Sequence, residues 1–416
     1  MTNPSTEAAA GVHIAPLPRI SIQAFCETPE LAAAIQGATA DRRMIKTQVK
    51  VNMGGAPAAV EAYRNAPTPN LIVVEFANDR EALLGFLDQL SQSCDAGTKV
   101  IVAGRVNDII LYRELMARGV SEYMVAPFSA FDFITSLAHL YHAPGAPAVG
   151  RVIAVMAAKG GVGASAFAHN LAWSIARTFQ TATVLVDMNL AFGTAGLDFN
   201  QDPPQGIAEA VFAPDRLDAN LVDRLLSKCT DNLSLLAAPA VLDKNYDFAE
   251  TAFDHLIDIL RSTTPSIVLD LPHMWSGWTR RMLIGADEVV IVAAPDLANL
   301  RNAKSILDVM RSSRTNDVKP RLVLNSVGML KRPEISVADF VKAVDVEPAA
   351  IIPHDAKLFG TAANNGQMIA EVEATHKVAE TFNELARLVT GRTVSSVKAK
   401  RNLFEPLMSR LQRKKA

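Results

Sequence analysis

The chain has 416 residues, of which 49% are hydrophobic and 20% charged, a composition typical of a globular protein with room for two ordinary domains. Its formal net charge of -2 excludes a globally basic nucleic-acid-binding protein, although it leaves a local basic patch open. Three widely spaced cysteines exclude a disulfide framework and a paired-cysteine metal site. We therefore expect a cytoplasmic protein. No apolar run reaches the about 20 residues that span a bilayer.

The amino-terminal part predicts a short lead and a first domain. Residues 1–18 contain three prolines and few large apolar residues, so we expect a disordered lead without a signal peptide. Residues 19–142 alternate five times between a strand-like apolar run and a helical pattern, which predicts a small α/β, doubly wound domain of flavodoxin-like order. The predicted strands are 20–25, 45–51, 71–76, 100–103 and 122–125.

This first domain resembles a two-component receiver, because the segments PNLIVVE, GVSEYM and APF stand where a receiver has its third strand and two later motifs. The receiver chemistry is missing. Glu75 stands at the phosphoacceptor position, Ala24 and Phe25 replace the metal-binding acidic pair, Gly104 replaces the switch hydroxyl, and Ala126 replaces the phosphate-pairing lysine. Without the acidic pair nothing holds Mg²⁺ beside Glu75. The resemblance therefore implies a pseudo-receiver that binds partners or itself.

A Pro/Gly/Ala-rich linker, 143–150, precedes a predicted second domain, 151–390, which opens with an apolar strand, a glycine loop and a helix. Glycines let backbone N–H groups line an anion hole at the positive end of a helix, so phosphate is the expected ligand. Ser165 fits the metal-binding hydroxyl of a P-loop, but Ala164 occupies the lysine position. The candidate nucleotide-binding residues are Lys159, Gly160, Gly161, Val162, Gly163, Ala164, Ser165 and Ala166.

The spelling K-G-G-x-G-x-[ST] resembles the deviant Walker A motif of the ParA/MinD superfamily. Within it, KGGVGAS followed by AFAHNLA is most similar to the CpaE/TadZ proteins of Flp (Tad) pilus assembly. The resemblance implies that Lys159 contacts nucleotide phosphates, often across a dimer interface, and it covers residues from about 20 to 390.

Two further segments end in candidate metal-binding carboxylates. The strand predicted at 182–186 is followed by Asp187 and Asn189, where the superfamily has a D-x-D switch near the attacking water. Asn189 cannot accept a proton as a second aspartate could, so Lys159 and Asp187 are the catalytic candidates. The run 266–272 resembles a Walker B strand that delivers Asp270 to Mg²⁺. The predicted metal ligands are Ser165, Asp187 and Asp270.

The adenine side and the tail complete the prediction. Asn325 stands where the superfamily places an amide against the adenine edge, and Pro353 matches a ring contact. The tail, 391–416, carries Leu403, Leu407 and Leu411 on one stripe under a basic face. Such a helix could lie on an anionic membrane, dock into a partner or pack on its own domain, and these alternatives stay open.

The resemblance implies a nucleotide-binding scaffold that localises and assembles the Flp/Tad pilus machinery, a type II/IV-like secretion system, through ATP-dependent dimerisation. The implied cofactors are ATP and Mg²⁺. The implied partners are a second copy, the pilus or secretion ATPase and inner-membrane platform proteins, and the implied location is the cytoplasmic side of the inner membrane, at a pole. Because Ala164 and Asn189 replace the expected lysine and aspartate, we expect slow ATP hydrolysis at most.

Other functions are less consistent with the residues. A ParA-like partitioning ATPase acting on DNA or another cargo would call for the in-loop lysine and the second switch aspartate, so DNA is a disfavoured partner. A bacterial tyrosine kinase would carry a tyrosine-rich tail, but no tyrosine follows Tyr246. An iron-sulfur carrier would need a cysteine pair.

Overall fold

The structure, a computed structural model, describes residues 14–64, 66–76, 80–95, 97–141, 149–239, 241–242 and 244–392. Two sheets organise these residues, one of five strands and one of eight. The predicted fold class, two doubly wound α/β domains in tandem, is confirmed. None of the described helices combines the length and the apolar character that a membrane crossing requires.

The first domain is a parallel sheet in the order β2-β1-β3-β4-β5, the flavodoxin-like order that the alternation predicted. Helices cover both faces, so the central strand β3 is buried along its whole length, which explains its uninterrupted apolar run. The strands are β1 (Ser21–Cys26), β2 (Gln48–Met53), β3 (Leu71–Glu75), β4 (Lys99–Gly104) and β5 (Glu122–Val125). The helices are α1 (Pro29–Ala38), α2 (Gly55–Ala62), α3 (Arg80–Ser91), α4 (Ile109–Ala117) and α5 (Ala130–Tyr141).

The predicted disordered lead is wrong at its carboxyl end. Ile14 and Leu17 are buried in the core of the first domain, and the Leu17 N–H donates a hydrogen bond of 2.9 Å to the Arg43 carbonyl. These few apolar side chains find a complementary surface only in the folded domain, which composition does not reveal. Residues 1–13 lie outside the described residues.

The second domain has the strand order β13-β12-β11-β6-β10-β7-β9-β8, in which all neighbours are parallel except the edge pair β8 and β9. The strands are β6 (Arg151–Ala157), β7 (Thr183–Asp187), β8 (Ser227–Lys228), β9 (Leu233–Leu236), β10 (Ser266–Leu271), β11 (Glu288–Ala293), β12 (Arg321–Val327) and β13 (Pro348–Pro353). The helices are α6 (Ala164–Phe179), α7 (Ala195–Asp198), α8 (Ile207–Phe212), α9 (Ala219–Leu225), α10 (Asp254–Thr263), α11 (Gly277–Gly285), α12 (Leu297–Ser313), α13 (Val337–Val344), α14 (Ala356–Asn365), α15 (Ile369–Val372) and α16 (Lys377–Thr390).

The strand that leads into the glycine loop, β6, lies inside this sheet between β11 and β10. The helix that follows the loop, α6, is buried along most of its length and packs against α16, where the rings of Phe167 and Phe382 are 5.4 Å apart. Buried apolar contacts therefore fix the strand and the helix on either side of the loop.

The predicted linker, 143–150, and the predicted tail, 391–416, lie outside the described residues except for residues 149–150 and 391–392. The domain boundaries that depend on them stay predictions.

A buried arginine joins the two domains. Arg42, which follows α1, donates from Nε to Asp317 Oδ2 at 2.6 Å and from Nη1 to Asp287 Oδ1 at 3.2 Å, and its side chain is 4% exposed. The same Nη1 lies 3.3 Å from the Gly285 carbonyl. Arg43 also contacts Asp317. Two adjacent arginines of the first domain therefore neutralise carboxylates of the second.

One of these carboxylates reaches the strand that leads into the glycine loop. Asp287 Oδ2 accepts a hydrogen bond of 2.8 Å from the Val152 N–H, at the start of β6, and one of 2.7 Å from Arg261 Nη1. Arg261 in turn donates to the Gly150 carbonyl at 2.9 Å. The interface is therefore continuous with the amino end of β6.

Replacing Arg42 with alanine is expected to destabilise the full chain by up to about 3–5 kcal/mol, because the change removes one of the buried positive charges that offset Asp287 and Asp317, although Arg261 and Arg43 remain beside them. The measurement is urea unfolding followed by circular dichroism. The matched control is Arg64→Ala, since Arg64 pairs with Glu61 on the surface, where the two side chains are 65% and 69% exposed, and such pairs contribute about 1 kcal/mol or less. Equal unfolding curves for the two variants would contradict the interface described here.

Candidate nucleotide site

The glycine loop has the backbone that its sequence predicts. Gly161 and Gly163 have φ angles of +81° and +82°, in the left-handed region that favours glycine. A Cβ atom at Gly163 would lie 2.7 Å from Asn325 Nδ2, so a side chain is excluded there by contact as well as by conformation. The helix α6 begins at the next residue, and the loop therefore presents its N–H groups at the positive end of a helix.

Three side chains from other elements hold the loop by its carbonyl oxygens. Asn325 Nδ2, on β12, donates to the Val162 carbonyl at 2.8 Å, and Asn302 Nδ2, on α12, donates to the Ala158 carbonyl at 2.9 Å. His273 Nδ1 lies 3.0 Å from the Ala157 carbonyl. Since a carbonyl can only accept, this ring nitrogen donates. The sequence analysis did not single out Asn302 or His273, because neither belongs to a local motif.

The predicted adenine contacts have different surroundings. Asn325 is buried against the loop, so its visible role is to fix the loop backbone. Pro353 is exposed at the end of β13. Their contacts with a base stay predictions.

Two predicted metal ligands lie side by side. The parallel register of β10 and β7 pairs Asp270 with Asp187, and the two residues are 2% and 1% exposed. Burial, together with the charge of Asp270, raises the pKa of Asp187 to about 6. The carboxyl ends of neighbouring strands thus bring two acidic groups to one sheet edge, beside the glycine loop.

Asp187 also organises the loop that follows it. Its Oδ1 accepts a hydrogen bond of 3.1 Å from the Asn189 N–H, and its Oδ2 accepts one of 3.1 Å from the Ala195 N–H. A Cβ atom at Gly193 would overlap the Asp187 carboxylate, so the close approach of this loop requires glycine. Asn189 Oδ1 accepts from the Phe192 N–H at 3.4 Å, which makes Asn189 part of this turn.

Asp270 is held on one side by a histidine that the sequence analysis quoted in AFAHNLA but gave no role. His169 is fully buried on α6, and its Nε2 lies 3.3 Å from Asp270 Oδ2, an ionic contact without the geometry of a hydrogen bond. Its Nδ1 lies 2.6 Å from Asp198 Oδ2. Burial opposes the charged ring, but the carboxylates of Asp198 and Asp270 outweigh it and raise the pKa of His169 to about 10.

The residues present fit a magnesium ion. Asp270 Oδ1 is buried and has no hydrogen-bond partner within the described part of the chain, so one carboxylate oxygen is available to a cation. Ser165, in the first turn of α6, is half-buried. Among the described residues, no three His, Cys, Asp or Glu side chains form a metal cluster. Mg²⁺ uses one or two carboxylates together with waters and substrate phosphates, so Asp270, Asp187 and Ser165 are the residues that would hold it.

The two lysine positions of the loop differ in residue type and in exposure. Ala164 is buried in the first turn of α6, and Lys159 is exposed at the start of the loop. Partial burial of Asp296 opposes its charge, but hydrogen bonds from Asn299 and the charge of Lys159 hold the pKa of Asp296 below its usual range. Lys159 therefore lies close to the carboxyl end of β11, where an external phosphate could compete for its charge.

The receiver-like domain has no comparable open group at its phosphoacceptor position. Glu75 is 2% exposed; its Oε2 accepts hydrogen bonds from the N–H groups of Glu27 and Thr28 at 2.7 and 2.8 Å, and its Oε1 accepts from Thr28 Oγ1 at 2.7 Å. The carboxylate caps the loop between β1 and α1, so its geometry is structural.

Solved structures of a pilus assembly protein and of a ParA family ATPase are similar to this chain. No family model matches the chain. The solved structure of the pilus assembly protein CpaE from Caulobacter crescentus is 50% identical, with 31% of this chain and 98% of that one covered and a TM-score of 0.30. The chain belongs to the CpaE family of pilus assembly proteins. The assignment to this family rests on the 50% sequence identity and not on the structural superposition.

ParA and MinD relatives cover a larger share of this CpaE-family chain. A ParA family ATPase from Chlorobium tepidum is 25% identical, with 57% of this chain and 98% of that one covered and a TM-score of 0.52. The septum site-determining protein MinD of Helicobacter pylori is 28% identical over 272 residues, which are 62% of this chain and 97% of that protein. Membership of the ParA/MinD superfamily follows.

The first domain is expected to remain unmodified when the purified chain is incubated with acetyl phosphate and Mg²⁺. Glu75 is buried and capped, and neither an acidic pair nor a lysine stands beside it. Intact-mass measurement should show no added phosphoryl group, with an active receiver treated in parallel as the control. An adduct that maps to Glu75 would contradict the structural role assigned to this carboxylate.

Proposed function

We propose that this protein is a nucleotide-binding scaffold that localises and assembles the Flp/Tad pilus machinery through ATP-dependent dimerisation. The observation that carries the proposal is the glycine loop beside Asp270, whose Oδ1 is buried and open to a cation. The Caulobacter relative is described as a pilus assembly protein, which supports the biological setting. ATP and Mg²⁺ are the proposed ligands.

In this proposal each part of the site has a separate task. The N–H groups of the loop and of the α6 amino end bind phosphate oxygens. Ser165, Asp270 and Asp187 hold the magnesium ion, which offsets phosphate charge when bound. Asn325 and Pro353 face the base. Lys159 supplies the loop's mobile positive charge.

Weak or absent hydrolysis follows from the side chains that are present. Ala164 leaves the β- and γ-phosphates without the usual lysine, and Asn189 can orient a water but cannot accept its proton. The same changes that slow hydrolysis prolong the ATP-bound state. A scaffold that signals through ATP binding benefits from such a long-lived state.

A ParA-like partitioning ATPase is the alternative, and the likeness to the Chlorobium tepidum protein favours it. The missing lysine and the Asp-to-Asn departure in the switch weigh against it. The inner-membrane platform, a pole and the pilus or secretion ATPase remain the proposed surroundings and partners.

Replacing Ala164 with lysine is expected to tighten ATP binding about tenfold or more. One charge-assisted contact contributes on the order of 1.5–3 kcal/mol, and about 1.4 kcal/mol corresponds to a factor of ten. The measurement is calorimetric titration of the full chain with MgATP. Ala164→Met is the matched control, because it adds similar bulk in the first turn of α6 without the charge. If both variants change affinity equally, bulk and not charge governs this position.

Lys159 is expected to act mainly through association. If it reaches the nucleotide of a facing subunit, ATP should shift the full chain towards dimer, ADP should do so less, and Lys159→Ala should abolish the shift while weakening ATP affinity only modestly. Analytical ultracentrifugation with ATP, ADP and no nucleotide measures this. Lys319→Ala is the control, since Lys319 is also exposed but precedes β12 at the opposite sheet edge. A dimer that persists in every condition would place association on another surface.

A further inference from the structure

His169 occupies a position where an apolar side chain would be expected. It lies on α6 between Ala168 and Asn170, with Leu171 and Ala172 following, and it is fully buried. A buried imidazole must satisfy its ring nitrogens or lose the hydrogen bonds that water would provide. A histidine packed in a core could do so with any nearby carbonyl. This one faces two carboxylates instead.

The two ring nitrogens face different elements. Nδ1 lies 2.6 Å from Asp198 Oδ2, at the end of α7, and Nε2 lies 3.3 Å from Asp270 Oδ2, at the end of β10. The ring also packs against Phe199, with 5.9 Å between ring centroids. The hydrogen bond at Nδ1 and the packing against Phe199 orient the ring, and this orientation places Nε2 in ionic contact with Asp270. The imidazole forms a bridge from the Walker B carboxylate to α7.

The bridge decides which Asp270 oxygen is available. His169 lies against Oδ2, whereas Oδ1 is buried without a hydrogen-bond partner among the described residues. An ionic contact at one oxygen favours the carboxylate orientation that leaves the other oxygen for a cation, which is how groups behind a metal ligand orient it. Without His169, Asp270 could rotate about its side-chain bond, and its two oxygens would exchange places.

The same bridge ties α7 to the site at its carboxyl end. At the amino end of α7, the Ala195 N–H already donates to Asp187 Oδ2 at 3.1 Å. One short helix is therefore attached at its two ends to the two neighbouring carboxylates. Phe192 and Leu197, which belong to the same segment, are 69% and 73% exposed. A shift of either carboxylate would move these apolar side chains.

We propose that His169 is a positioning residue that orients Asp270 towards Mg²⁺ and transmits occupancy of the site through Asp198 to the segment 189–200. The proposal rests on the nucleotide and magnesium binding proposed above. In this proposal the exposed side chains of Phe192 and Leu197 take different positions in the nucleotide-free and the nucleotide-bound protein.

The test compares the affinity of a fluorescent ATP analogue for the full chain in MgCl₂ and in EDTA. In the wild type, Mg²⁺ should strengthen binding. His169→Ala and Asp198→Ala should each reduce this gain by about 10-fold to 100-fold, the range typical of groups that orient metal ligands, while affinity in EDTA stays within about twofold. The double variant should be no worse than His169→Ala alone, since both changes break one bridge.

Two further variants separate positioning from general stability. Asp198→Asn keeps an oxygen acceptor for Nδ1 and should retain most of the magnesium gain. His255→Ala removes another histidine, one whose Nε2 contacts the Leu217 carbonyl at 3.0 Å, and should leave the gain unchanged. Asp198 is 20% exposed, so its variants keep the test decisive even if His169→Ala does not fold.

Hydrogen exchange of the backbone amides tests whether occupancy of the site changes the segment 189–200. MgATP should slow exchange in segment 189–200 of the wild type, and Asp198→Ala should abolish this change although nucleotide is still bound at saturating concentration. Equal losses in MgCl₂ and EDTA, or an unchanged magnesium gain in both His169→Ala and Asp198→Ala, would overturn the proposal. Absence of any nucleotide binding by the wild type would instead overturn the proposed function, and this inference with it.

Discussion

Two carboxylates buried side by side, Asp187 and Asp270, set the constraint on which the second domain depends. Burying like charges on neighbouring strands is unfavourable unless each is offset by hydrogen bonds or opposite charge. Backbone N–H groups offset Asp187, and His169 offsets one oxygen of Asp270. The remaining oxygen of Asp270 is open beside the glycine loop. The position of α7, the glycine at 193 and the buried histidine all follow from this arrangement.

Buried carboxylates also lie at the opposite ends of the strands of this sheet, where arginine side chains offset their charge. Asp287 and Asp317 are buried there, and their charges are neutralised by arginines of both domains. Removing one partner of a buried ion pair destabilises the protein by more than the intact pair stabilises it. The reason is that the remaining partner keeps its charge in an apolar environment. The receiver-like domain therefore serves as a structural partner of the second domain. Glu75, which stands where a receiver has its phosphoacceptor, caps the loop between β1 and α1.

Much of the fold could be predicted because parallel strands buried on both faces give long apolar runs. Strand β5 has the predicted bounds, β10 ends one residue before the predicted end, and β7 is shifted by one residue at both ends. The region from α7 to α10 could not be assigned, since its helices and strands are short and lack a sustained period. The prediction of a disordered lead was wrong for a related reason. Two buried side chains, Ile14 and Leu17, barely change the composition of residues 1–18 on which the prediction rested.

The amino-acid sequence by itself determined the glycine loop, its missing lysine and the two aspartates, because each is a local pattern in which a turn or a strand end requires particular residue types. It also determined that Glu75, Ala24, Phe25 and Ala126 occupy the positions where a receiver has its reactive residues. Only the tertiary structure decided which distant side chains complete these sites. His169, Asn302 and Arg42 acquire their roles through contacts with residues far away in the chain. The physical reason is that a buried polar group is defined by its partners, and strand order and register choose those partners.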